Sequence, residues 1–462
     1  MTSAHGVLRV PAARPILVLA GAIVALAGVP VLLLPLVDRT APPPLLSVAP
    51  ARVAPGGSVA LNGVGFRAGS TGRVALDGTA PGLAAYTADA HGNFTARVTL
   101  PQSTGAGEHT LVALQSDGSD GKNGSTNGSA IAQTPLSIAP LTAHDLQAAL
   151  TARGDVLETL AAAISNVTAA DGYRYQLHDS DGATMDTLKV IASPAGGYLG
   201  VYHSGGPDRF SVKLATSSDL LTWLHITDLD AYASQPTIAT LPDGGFLLAD
   251  EAGGDPSAAD GTWLRFRHYP DLAALLSGTS DRLFEAPHTL VPSRRGAEGT
   301  PSIESVSFDP DLDHSVIRIG FHYFKDARVD RQALGVLTDF ERWTATPDVT
   351  ADADLIAAGA AGKIGDRDTI SADGRQLRLY EGQLRNDDWS SWRVYLYEPA
   401  TRRVLPLQVR THGGSSAFAN PTLSLLPGPT GRPALVMTLF LPESGAARGE
   451  TGELIYFKEL GG

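Results

Sequence analysis

From residue 173 to the end, apolar residues fall in short runs broken by glycine, proline or charge, the pattern of strands and not of helices. One phrase recurs every 50 to 67 residues: Met185-Asp186-Thr187-Leu188, Gln235-Pro236-Thr237-Ile238, Thr300-Pro301-Ser302-Ile303, Arg367-Asp368-Thr369-Ile370 and Asn420-Pro421-Thr422-Leu423. Each copy opens a strand-rich segment. Five quasi-repeats of this size predict a five-bladed β-propeller over 173–462, with each phrase on a strand lining the central channel. Residues 173–178 can complete a blade and close the ring.

Residues 47–140 also read as strands, in a different rhythm. "SVALNGVGF" (58–66) alternates as a half-buried strand does, and turn signals follow every 8 to 15 residues. The pattern predicts a β-sandwich. The tract Ser116–Ser129 has no apolar residue and is expected to lengthen the last hairpin. Between the two β regions, 141–172 is a helical connector: Leu146, Leu150, Leu157, Leu160 and Ile164 recur at helical spacing. Thr142 and Asp145 suit a cap, and Gly154 suits a break.

The N-terminus has another pattern. Pro15 to Val37 is 23 residues without a charge, enough to span a bilayer as a helix. Arg9 and Arg14 precede it, which predicts 1–14 in the cytoplasm, a transmembrane helix or uncleaved signal anchor over 15–37, and a Pro-rich stalk over 38–46. A cleaved signal peptide is the competing reading. The expected fold class is thus mainly β: N-terminal transmembrane helix, β-sandwich, short helical connector and propeller. The expected location is the cell membrane, single-pass, with the C-terminal domains extracytoplasmic and the lipid bilayer as a partner.

Composition narrows the chemistry. The 462 residues carry a net charge of -13, which argues against a nucleic-acid partner. With no cysteine there is no disulfide and no thiolate site. No short-spaced histidine pair marks zinc, and no cofactor is implied; a calcium or sodium ion in the channel would need oxygen ligands.

Two phrases match each other, "ATSSDLLTWLHI" (215–226) and "GVLTDFERWTAT" (335–346). Asp219 and Asp339 suit turn caps, and Trp223 and Trp343 suit packing between blades. The "SSDLLTW" phrase (217–223), followed by a blade opening at Gln235-Pro236, resembles the five-bladed furanosidases and related glycoside hydrolases of the arabinanase and β-xylosidase clan. The resemblance covers roughly 173–460. Residues 47–140 resemble the immunoglobulin-like modules of exported bacterial proteins, on "SVAPARVAPGGSVALNGVGF", "ADAHGNFTARVTLP" and "GEHTLVAL". The hydrolase resemblance implies three inner-strand acids. Asp186 matches the base, Glu298 the residue that tunes the acid, and Asp366 or Asp368 the acid. The order Asp, Glu, Asp departs from the family's Asp, Asp, Glu.

Other residues are candidates for substrate binding. His203, Glu251, His322 and Glu381 end four second strands at equivalent places, where the alternative is blade-to-blade contact. Gln235 and Asn420 open inner strands. Arg367 lies between two aspartates, so that either it or the Asp366/Asp368 pair faces the channel. Trp389 and Trp392 lie beside Asn386, Asp387 and Asp388, suited to a sugar ring or to packing their own loop. Two functions follow. One is a membrane-anchored extracytoplasmic propeller that binds a glycan, polysaccharide or surface protein. The alternative is a glycoside hydrolase using channel carboxylates.

Overall fold

The computed structural model describes residues 43–460, apart from 54–56, 79–81, 102–103, 105–106, 116–128, 140–141, 152–153, 207–209, 254–260, 292–295, 309–310, 327 and 373. The segment expected to span a membrane, 15–37, lies outside the described residues. Among those described, no helix is long and apolar enough to cross a membrane. The longer helices, Ala143–Thr151, Val156–Ile164 and Val349–Ala357, have nine residues each. At 1.5 Å per residue that is about 14 Å, against about 30 Å of hydrocarbon. The fold class is corrected accordingly to a sandwich, a helical connector and a propeller. The bilayer partner, the single-pass location and the membrane-anchored binding function have no support in it.

The sandwich begins at Leu45, inside the expected stalk. One sheet holds Leu45–Ala49, Ser58–Val64 and Phe94–Thr99. The other has five strands, with Gly107–Gln115 paired to Ser129–Ile138 on either side of the tract expected to lengthen that hairpin. Residues 116–128 of that tract lie outside the described residues, and its last residue, Ser129, starts the second strand of the hairpin. Val59, Leu61, Phe66, Tyr86 and Phe94 meet in the core between the sheets. Alternation along Ser58–Val64 turns Val59 and Leu61 inward, as period-two patterning requires.

The connector is two helices, split at Gly154, whose φ of 107° suits glycine. Thr142 and Asp145 form a reciprocal cap on the first helix, and Asp155 caps the second through the Glu158 amide. Leu150, Leu157, Leu160 and Ile164 pack with Leu396, Met437 and Leu454 of the last two blades.

Five four-stranded antiparallel sheets follow, with inner strands Asp186–Ala192, Ala233–Thr240, Glu298–Ser307, Ile364–Ala372 and Ala419–Pro427. Each inner strand contacts the next, and the fifth contacts the first. This closed ring is a five-bladed propeller. The fifth blade takes its outer strand, Gly172–Arg174, from before the first blade and its other three from the C-terminus, so the chain's two ends of the ring are pinned together. Asp171 secures the join, accepting from Lys458 Nζ at 3.0 Å and from the Glu459 amide at 2.8 Å.

The matched tryptophans sit where blades meet. Trp223 is buried with Leu426, Val436 and Phe457 of the fifth blade, and its Nε1 donates to the Leu220 carbonyl at 2.9 Å. Asp219 caps its turn through the Leu221 and Thr222 amides. Trp343 packs beside Phe266 of the second blade and Phe321 of its own, the third. Trp223→Ala is expected to cost about 3–5 kcal/mol, read as a lower denaturant midpoint with an unchanged slope.

Candidate functional site

The five inner strands start at one end of the channel, and each starts with an irregularity. Sheet register slips between Asp186 and Lys189, Ser234 and Thr237, Gly299 and Ser302, Ile364 and Arg367, and Ala419 and Thr422. Inside these bulges Thr187, Gln235, Thr300 and Asn420 take left-handed backbone, with φ of 47–53°. A non-glycine residue there is strained by about 1 kcal/mol or more and must be held by its surroundings. This geometry also corrects the sequence alignment of the repeat. Thr187, and not Met185, is in step with Gln235, so Asp186 occupies the place of Ser234, Gly299 and Ala419.

Side chains of the preceding blade hold the bulges. His203 Nδ1 accepts from the Gln235 amide at 3.2 Å, Glu251 Oε2 from Thr300 at 3.0 Å, and Glu381 Oε2 from Asn420 at 2.6 Å. Burial pushes His203 down to about 3, keeping it a neutral acceptor. The third-to-fourth seam is different. His322 turns to Thr300 Oγ1 at 2.5 Å, and Gln332 on the next strand donates to the carbonyls of Ile364 and Gly365 at 3.0 and 2.6 Å. The four residues at equivalent strand ends thus make polar contacts in and between blades. Glycines leave room for two of them: a Cβ at Gly299 would lie 1.9 Å from Glu251 Oε2, and one at Gly365 2.2 Å from Glu381 Oε1.

The acids part company. Glu298 is buried, and its Oε1 accepts from the amides of Thr289, Leu290 and Val291 at 2.8, 2.6 and 2.9 Å, tying down that loop. Asp368 is buried in the channel. It receives Lys189 Nζ at 2.6 Å, the Leu423 amide at 2.7 Å and the Thr369 amide at 2.8 Å, and Lys189 also reaches the Leu423 carbonyl at 2.8 Å. The side chains of Asp366 and Arg367 lie outside the described residues. Asp186 differs from all of these. It is half-buried at the start of the first inner strand, its Oδ2 receives only a long 3.4 Å bond from Thr184, and its Oδ1 is enclosed with no hydrogen-bond partner. Burial pushes it from 3.8 up to about 6, against smaller lowering by Thr184 and His178.

Thr187 Oγ1 donates to Gln235 Oε1 at 2.6 Å between the first and second blades. Below them the space between Lys189, Thr237, Asp368 and Thr422 is about 10 Å³, room for one water. The Lys189–Asp368 pair therefore closes the channel. Beyond it, on the underside, a cavity of about 980 Å³ opens between the hairpins after the first and fifth inner strands. Among the described residues, no group of three or more His, Asp or Glu is placed to hold a metal ion. At the mouth, Trp392 is buried near Gly365, while Trp389 is 58% exposed with its ring 6.3 Å from that of Trp392. Asp388 fixes this turn, accepting from the Ser390 amide at 2.9 Å.

Lys189, Gln332 and Glu453, on the first, third and fifth blades, are buried polar residues that the sequence pattern did not single out. Lys189 interrupts the apolar run "TLKVIA", which was a usable signal; Gln332 and Glu453 read as ordinary strand residues.

No protein-family model matches the chain, and no curated protein does. Solved structures similar to it include an α-L-arabinofuranosidase from Fusarium graminearum, at 12% identity and a TM-score of 0.37, covering 63% of this chain and 98% of that one. An exo-1,5-α-L-arabinanase from a bovine ruminal metagenomic library matches at 10% identity and 0.39, covering 60% and 92%. An exo-β-1,3-galactanase from Clostridium thermocellum matches at 11% and 0.40, covering 62% of each. These are similarities to propeller glycoside hydrolases at a level that carries no argument about the chain's chemistry.

Proposed function

We propose that the propeller is a glycoside hydrolase that cleaves its substrate at the mouth of the channel, with Asp186 as the base or nucleophile. The observation that carries this reading is the state of Asp186: a half-buried carboxyl with one unpartnered oxygen and a pKa raised to about 6. A carboxyl tuned toward neutrality and left free of ion pairs is suited to proton transfer or attack. Glycoside cleavage needs a second carboxyl across the scissile bond. Asp368 is engaged by Lys189 and Glu298 by three amides, so the proton donor in this reading is Asp366. The substrate class rests on the phrase Ser217–Trp223 and on exposed Trp389, an aromatic face beside the mouth.

The test is hydrolysis of a panel of aryl furanosides, aryl pyranosides and plant or microbial polysaccharides by the full chain. Turnover that is lost in Asp366→Asn and in Asp186→Asn supports the assignment. Absence of turnover on the whole panel, or turnover untouched by Asp186→Asn, overturns it. Trp389→Ala is expected to raise KM by about tenfold with little change in kcat on a polymeric substrate, as loss of one stacking contact would.

A further inference from the structure

The ring closes where the fifth blade meets the first, and this seam is built unlike the others. Thr422 and Thr438 both donate to the Leu188 carbonyl, at 2.7 and 3.1 Å, and Ser424 donates to that of Val190 at 2.6 Å. The position that carries His203 or Glu251 in the first two blades is Phe440 here: Ala419 pairs with Phe440 as Asp186 does with His203 and Ser234 with Glu251. Phenylalanine cannot accept a hydrogen bond. Directly across the sheet from Phe440 is Glu453. The same displacement occurs at the third-to-fourth seam, where Gln332 lies across from His322 and makes the connection. Glu453 is therefore the residue the architecture offers to hold the first-blade bulge.

Its surroundings agree. Glu453 is 2% exposed, and neither carboxyl oxygen is in a well-formed hydrogen bond. The Thr438 hydroxyl and the amides of Thr187 and Leu188 face it, and the charge of Asp186 acts on it. Asp186 in turn is faced by His178, whose Nδ1 is bonded to the Gln176 carbonyl, and is paired across the sheet with His203, which is buried and neutral. Lys189, on the same strand, is occupied by Asp368.

We propose that Glu453 is the positioning residue of the candidate site: its carboxyl clasps the Thr187–Leu188 bulge and thereby aims Asp186 into the channel mouth. The proposal rests on the reading of Asp186 as the reacting carboxylate. Burial and the adjacent Asp186 both oppose ionisation of Glu453, so the pair releases its protons in sequence, Asp186 first. A neutral Glu453 lets Asp186 ionise without a second buried charge beside it. Glutamine, the residue used at the third-to-fourth seam, should replace Glu453 with its geometry retained, and alanine should not.

The experiment compares Glu453→Gln and Glu453→Ala in the full chain by hydrogen exchange and by infrared spectroscopy. Peptides spanning 185–189 should exchange about tenfold faster in Glu453→Ala and at the wild-type rate in Glu453→Gln, with peptides spanning 298–302 unchanged in both. One component of the carbonyl band of protonated buried carboxyls, that of Glu453 beside the one from buried Asp250, should disappear in the difference spectrum of Glu453→Gln. In Asp186→Asn that component should be lost at a lower pH than in the wild type, because the neighbouring negative charge is gone. If turnover is found, Glu453→Ala should lower kcat and Glu453→Gln should restore it to within about threefold. Exchange at 185–189 unmoved by Glu453→Ala, glutamine as damaging as alanine, or a Glu453 band indifferent to Asp186→Asn would each overturn the proposal. If Glu453→Ala does not fold, the glutamine variant and the Asp186→Asn titration decide it. None of the spectroscopic readouts needs a substrate, so failure to find turnover would refute the hydrolase reading and leave this test standing.

Discussion

Asp186→Asn is expected to lower turnover on any glycoside the chain cleaves by about 10³-fold while making the protein more stable at neutral pH. The rate loss is that of removing a positioned base or nucleophile. The stability gain follows from the direction of the pKa shift. Folding raises the Asp186 carboxyl from 3.8 to about 6 because burial disfavours its charge. Between those values the folded state keeps a proton that the unfolded state has released, so stability falls as pH rises through that window. Above about pH 6 the fold carries an ionised, half-desolvated carboxylate at a cost on the order of 2–3 kcal/mol. Asparagine removes that cost. The pH dependence of kcat/KM in the wild type should have an acid limb near 6, because a base must be ionised to act. Thermal melts at pH 4 and pH 7.5, beside initial rates, check all three statements. A variant less stable than wild type at pH 7.5 would mean that Asp186 holds the fold and is not tuned for chemistry.

The second large effect is structural. Lys189 and Asp368 are both buried, and their contact at 2.6 Å closes the channel between blades one, four and five. Lys189→Met leaves the Asp368 charge without its cation in a desolvated place, which costs about 3–5 kcal/mol. For a chain of this size the melting temperature should fall on the order of 10 °C. Removing both charges is a different experiment. Lys189→Met with Asp368→Leu fills the channel with apolar atoms and should recover about half of the loss or more, because the desolvation cost disappears with the pair. The recovery will be incomplete, since the Leu423 and Thr369 amides lose their acceptor. A double variant less stable than Lys189→Met alone would assign the ion pair a larger net contribution than buried pairs usually make.

Much of the architecture was legible because it depends on periodicity and turn chemistry. Alternation along Ser58–Val64 specified a half-buried strand, and Thr142, Asp145 and Gly154 specified where the connector helices begin and part. The repeating phrase specified the number of blades, since each copy opens an inner strand. The matched Trp223 and Trp343 specified packing at blade junctions, because a feature repeated between blades is more economically read as structure than as a site.

The chemistry of the channel mouth was not legible in the same way. Asp186, Glu298 and Asp368 look alike in sequence, and they differ only in what the fold brings to them: an unsatisfied oxygen, three amides of one loop, or a lysine from 179 residues away. His203, Glu251 and Glu381 could be aligned from sequence, but their partners are amides of the following blade, exposed by bulges that a repeat of side-chain types does not reveal. The bulge shifts register locally, which is why the side-chain match set Met185 against Gln235 where the backbone sets Thr187.

By itself the sequence determined the strand pattern, the boundaries of the two connector helices, the five repeats and the absence of thiol chemistry, all of which follow from local residue preferences and spacing. Tertiary structure alone decided which carboxyls are engaged by partners and which keep an unpartnered oxygen. Ionisation and hydrogen bonding at a buried acid depend on groups far away in the chain, and these meet only when the ring closes on itself.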